Sequence, residues 1–127
     1  MDGVPVRIQT VEEIHQLVWT AVERMWTIEA MYRGRPRLFC PHRVGRNRDG
    51  QLRVLCYQYG GESNSGLQPE GSPANWRCIE LERLSRVKLV ESAWHTAPNH
   101  SRPGSCVVDA DIDVEDHHRA RDLQKGH

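Results

Sequence analysis

Pro41-His42-Arg43-Val44-Gly45 and, past a turn, Leu52-Arg53-Val54-Leu55-Cys56-Tyr57-Gln58-Tyr59-Gly60-Gly61 form the stretch whose reading decides the fold. Residues 52–59 carry the strongest strand signal in the chain. Leu52, Val54 and Cys56 fall on one face, and Leu55, Tyr57 and Tyr59 on the other. A strand apolar on both faces must be covered on both, as in a small closed barrel capped by a helix. Pro41 has no N–H to give a ladder, so it is expected to end the preceding strand or to sit at its edge. Asn47-Arg48-Asp49-Gly50 reads as a turn whose glycine can take positive φ.

Upstream, Thr10-Val11-Glu12-Glu13 has the form of a capping box and starts a helix over about residues 11–26. Val11, Ile14, Val18, Val22 and Met25 recur every three or four residues as one apolar stripe. Flanked by Leu17, Trp19 and Trp26, this stripe is wider than one barrel end needs, which predicts a homodimer through the helix. From Thr27 the period changes to two, with Ile28, Ala30 and Tyr32 on one face. A break at Arg33-Gly34 and a returning strand over residues 35–40 make a hairpin.

Downstream, residues 60–75 are rich in Gly, Ser, Asn and Pro and read as a long surface loop. Strands follow over residues 76–81 and 86–94, separated by a single turn at Glu82-Arg83-Leu84-Ser85. Cys106-Val107-Val108 has the composition of a short added strand. The expected architecture is mainly β: a small SH3-like or Sm-like barrel of about five strands, one N-terminal α-helix and a flexible C-terminal tail. Its parts are a lead and helix over 1–26, the barrel over 27–95 and a partly disordered extension over 96–127.

The 127 residues suit one domain with a modest core, and 17 basic and 17 acidic residues cancel. The cancellation hides a separation along the chain. Arg33, Arg35, Arg37, Arg43, Arg46, Arg48 and Arg53 face only Asp49 in their segment, while Asp109, Asp111, Asp113, Glu115 and Asp116 form a late run that reads as a solvated tail or interaction arm. The N-terminus lacks a signal-peptide pattern, and no stretch approaches the roughly 18 apolar residues that span a bilayer. A cytoplasmic protein without a membrane partner is expected. Cys40, Cys56, Cys78 and Cys106 show no C-x-x-C pair and read as buried thiols of a reducing compartment rather than a disulfide framework.

With the residues laid out this way, the segment from about Ile28 to Trp94 resembles the WYL domain, a small Sm-like or SH3-like barrel of bacterial regulators. Ile28, Ala30 and Tyr32 echo its opening strand, Pro41 its proline after the second strand, and Gly50 through Tyr59 its central strand. Ile79, Leu81, Glu82, Arg83 and Leu84 look like its closing run. The Trp-Tyr-Leu tripeptide and the usual N-terminal winged helix-turn-helix are absent, so the likeness is to a divergent, stand-alone branch. It implies a ligand-sensing or nucleic-acid-responsive module with an arginine-rich face, coupled to a regulatory protein partner.

The ligand-binding residues expected on that face are His42, Arg43, Arg53, Tyr57, Gln58, Ser63, Trp76, Arg77 and Arg83. Guanidinium forks match phosphate, and neighbouring aromatics stack bases, so the partner is a single-stranded nucleic acid or a nucleotide-like anion. The plainer alternative is a soluble barrel whose exposed positions happen to be arginine. His42 either bonds a ligand or satisfies a backbone carbonyl. Cys40-Pro41-His42 lacks a third, orienting group for nucleophilic catalysis, and His95, His100, His117, His118 and Cys106 lack paired metal-ligand spacing. No enzyme activity, cofactor or metal is therefore expected. The competing class is a structural or oligomerisation protein with no small ligand. Convergence of Arg37, Arg43, Arg53, Arg77 and Arg83 with His42 and Tyr57 favours binding, and their scatter favours assembly.

Overall fold

The computed structural model describes residues 8–62, 66–98 and 106–115. Helix α1 (Val11–Arg24) starts where the capping box places it. The Thr10 hydroxyl accepts from the Glu13 amide at 3.1 Å, and the Glu13 carboxylate accepts from the Thr10 amide at 3.0 Å. The helix ends at Met25, which turns left-handed at φ 55°. Ile14, Val18, Ala21 and Val22 are buried against the sheet. The centre of the apolar stripe is thus covered by the chain's own strands, whereas Val11 is exposed and the flanking Leu17, Trp19 and Trp26 are half-buried.

Six antiparallel strands form one sheet: β1 (Thr27–Tyr32), β2 (Arg35–Arg46), β3 (Leu52–Gly61), β4 (Trp76–Glu80), β5 (Leu84–Val90) and β6 (Asp109–Asp113). Their order is β4-β3-β2-β1-β5, with β6 pairing on β2. The fold is mainly β, as the alternation implies, and the short added strand expected at Cys106-Val107-Val108 falls instead at Asp109–Asp113.

Two differences share a cause in β2. The strand does not stop at Pro41 but continues to Arg46, because His42 is an extra residue between the pairs Pro41↔Cys56 and Arg43↔Leu55. A bulge tolerates a proline that cannot donate to the ladder. Strand β2 is therefore long enough to pair with β1 over residues 35–39 and with β6 over residues 43–46.

Strand β6 overturns the reading of residues 109–113 as part of a flexible, solvated arm. Ile112 and Val114 are buried in the main core, where each such side chain contributes about 1.5–3 kcal/mol. Asp113 reaches Arg43, and the Val108 amide donates to the Arg46 carbonyl at 2.9 Å. Gly45 is required beneath this segment, since a Cβ there would collide with the Asp109 carbonyl and lie 2.7 Å from Cα of Ala110. Residues 99–105 and 116–127 of the expected extension lie outside the described residues.

The cysteine reading also needs correction. Cys78 and Cys106 form a disulfide, their Cα atoms 5.7 Å apart, while Cys40 and Cys56 are free and buried. The pairing joins residues 28 apart in sequence, so no local spacing announces it. Among the described residues, no helix is long and apolar enough to cross a membrane.

The sheet has two packed faces, as the two-sided pattern of β3 requires. Val54, Cys56, Phe39 and Ile79 face α1, whereas Leu55 packs with Cys106, Val107 and Trp76 on the other side.

Candidate anion site

Strand alternation puts Arg37 two residues from Phe39, on the face that α1 covers. Arg37 is 5% exposed, and its Nε has no hydrogen-bond acceptor among the described residues. Nη1 donates to Oε1 of Gln58 at 3.3 Å, and the guanidinium carbon lies 5.3 Å from the Tyr32 ring centroid. No carboxylate among the described residues pairs with it. Burial, and next the positive charge of Arg77, push its pKa down from the ordinary value.

Gln58 is buried, and its amide is held in one orientation. Its Nε2 donates to the carbonyls of Gly60 and Glu62, both at 3.0 Å, which turns Oε1 toward Arg37. Gly61 makes the crossing beside Arg37 possible. It has φ 80°, and a Cβ there would collide with the Pro36 carbonyl and lie 2.8 Å from Cα of Arg37.

Arg77 sits on β4 in register with Cys56, on the same face. Its guanidinium donates to the carbonyls of Ala74 at 2.6 Å, Trp76 at 3.1 Å and Gly66 at 3.1 Å. Arg77 thus braces the loop after β3 while its charge stands beside that of Arg37. Three of the residues expected from sequence or weighed with it, Arg37, Gln58 and Arg77, come together here. Ser63, also expected, lies outside the described residues.

His42, Tyr57 and Trp76 lie on the opposite face. Tyr57 and Trp76 are register partners with ring centroids 5.2 Å apart, and His42 sits between Trp76 and Trp94, at 4.7 and 4.6 Å. His42 is buried, its Nδ1 donating to the Cys40 carbonyl at 2.9 Å and its Nε2 3.1 Å from the Thr96 hydroxyl. The backbone-carbonyl bond, one of its two sequence readings, is present. The Tyr57 hydroxyl donates to the Ser72 carbonyl at 3.0 Å and accepts from the Gly71 amide at 2.8 Å. These groups pin loops rather than line a shared surface with the arginines.

The remaining arginines are dispersed. Arg43 pairs with Asp113 at 2.6 Å, Arg53 with Glu82 at 3.6 Å and Arg83 with Glu80 at 2.9 Å. Arg33 also bonds Glu80, and this bond holds the Glu80 carboxylate below its usual pKa. The five arginines weighed from the sequence do not converge with His42 and Tyr57, which is the scatter taken above to favour an assembly role. One smaller cluster centred on Arg37 takes their place.

Cys40 and His42 are not arranged as nucleophile and base. The ring nitrogen meets the Cys40 carbonyl rather than its sulfur, and burial pushes the Cys40 thiol up to about 12. Among the described residues, no group of three or more His, Cys, Asp or Glu side chains is placed to hold a metal ion. Compared with known proteins, the chain matches no family model, no curated protein and no solved structure.

Proposed function

We propose that the chain is a small, non-enzymatic binding module that holds an anionic group of a nucleotide-like ligand at Arg37. The observation that carries this reading is Arg37, a residue only 5% exposed, whose buried Nε lacks an acceptor among the described residues. An unmade hydrogen bond on a buried charged group costs about 1–3 kcal/mol or more, and an uncompensated buried charge several. A phosphate or carboxylate oxygen at Nε supplies both the acceptor and the countercharge, and the planar fork accepts such groups two atoms at a time. Gln58 keeps the fork from rotating, and the adjacent charge of Arg77 deepens the local positive potential. With Arg43, Arg53 and Arg83 engaged by carboxylates, one discrete anionic group fits better than a tracked polynucleotide backbone.

The reading extends to architecture. Strand order β4-β3-β2-β1-β5, a single 3₁₀ turn at Leu81–Arg83 between β4 and β5, and the Glu80 amide donating to the Tyr32 hydroxyl at 3.2 Å support a sheet curled toward an SH3-like or Sm-like barrel. We read the chain as a divergent relative of the WYL domain acting in the cytoplasm, where its ligand state is passed to a regulatory partner.

A thermal-shift screen of AMP, ATP, inorganic pyrophosphate and short single-stranded oligonucleotides tests the reading, because a ligand that binds only the folded state raises Tm by mass action. At least one phosphorylated compound is expected to raise Tm of the wild type and not of a folded Arg37→Met variant. No shift with any of them, or equal shifts in both proteins, contradicts it.

A further inference from the structure

The disulfide stands at the join between the sheet and its last strand. Cys78 lies on the edge strand β4 and is exposed, whereas Cys106 is 4% exposed and lies three residues before β6. Around Cys106, Val107 packs with Leu55 and Trp76, Val108 bonds the Arg46 carbonyl, and β6 then pairs with residues 43–46 of β2. The bond thus ties the outer edge of the sheet to the segment that completes β2 on its other side.

We propose that Cys78–Cys106 is a thiol-exchange site through which a low-molecular-weight thiol unlatches residues 106–113. The exposed side directs attack. A thiolate adds to Sγ of Cys78, the Cys78–Cys106 bond breaks, and Cys106 leaves as a thiolate that takes a proton from water. A second thiol attacks the mixed disulfide, releasing Cys78 as a thiolate that is protonated in turn. The protein disulfide is reduced, and two small thiols become one small disulfide. Cys40 and Cys56 stay out of the reaction because both are buried on neighbouring strands. Without the bond, the segment relies on its ladder to β2, the Val108–Arg46 hydrogen bond, the Arg43–Asp113 and His15–Asp111 pairs, and the buried Ile112 and Val114. Residues 106–108, next to Trp76, then lose their tether first. This inference is independent of the anion site.

The test combines mass spectrometry after maleimide labelling with hydrogen exchange, on folded wild type treated or not with reduced glutathione, and on a Cys78→Ser/Cys106→Ser variant. Untreated protein is expected to take no label. Treated protein is expected to take two, at Cys78 and Cys106, with exchange across 107–113 at least tenfold faster. The double variant is expected to match the treated state and to ignore glutathione. Labelling of Cys78 and Cys106 without prior thiol, resistance to glutathione in the folded state, or unchanged exchange after reduction would overturn the proposal. The wild-type arms decide it even where the variant fails to fold.

Discussion

The Arg43 guanidinium and the Asp113 carboxylate meet at 2.6 Å, with side-chain exposures of only 17% and 8%, and so join the bulged half of β2 to a strand 70 residues away. Removing one partner strands the other in a shielded place, so Asp113→Asn is expected to destabilise the fold by about 2–4 kcal/mol. Chemical denaturation measures this, and hydrogen exchange should place the loosening in residues 109–113. A change within about 0.5 kcal/mol would make the pair a surface ornament.

The disulfide acts on the same segment by a different physical route. Closing a loop of 28 residues restricts the unfolded chain, which in the chain-entropy model is worth about 3–4 kcal/mol. Equilibrium unfolding of oxidised and reduced protein should differ by that amount. A reduced protein of equal stability would contradict the pairing.

What was legible in the sequence was what depends on near neighbours. Thr10 and Glu13 are three residues apart, so their reciprocal bonds announce the helix start. The two-sided alternation of residues 52–59 announces a strand covered on both faces. Pro41 does sit where β2 has no partner on the side away from β3, but it does not end the strand, because the bulge that accommodates it depends on its register with β3. Asp109, Asp111 and Asp113 read as a solvated run because the side chains that receive Asp111 and Asp113, His15 and Arg43, are distant in sequence. Arg37 was one arginine among seven. Only the fold shows that it is buried, that Arg43, Arg53 and Arg83 have carboxylate partners, and that its own Nε lacks an acceptor among the described residues.

Burial pushes the Cys40 thiol up from 9.0 to about 12 and raises Cys56 as well. A raised folded pKa means that the unfolded chain releases its protons first as pH rises. The stability these thiols contribute is therefore complete below about pH 9 and declines between about pH 9 and pH 12. Unfolding free energies measured across that range should fall more steeply in the wild type than in Cys40→Ala. Parallel curves would show that the thiol does not titrate with folding.

Tyr57 gathers the loop after β3 through its hydroxyl, bonding Ser72 and Gly71. Tyr57→Phe keeps the ring against Trp76 but leaves those groups to find other partners, and a loss of about 1–2 kcal/mol is expected. Faster exchange should be confined to residues 66–75. A uniform increase across the sheet would mean that the hydroxyl supports more than the loop.

The central claim is that Arg37 Nε receives an anion, and the most direct measurement is NMR of arginine Nε–Hε groups in labelled protein titrated with AMP and inorganic pyrophosphate at matched ionic strength. One protected resonance, absent in Arg37→Lys, is expected to shift saturably with at least one of them. Sodium chloride alone should leave it in place. An Arg37 resonance that stays fixed through both titrations, while only exposed arginines drift, would contradict the account.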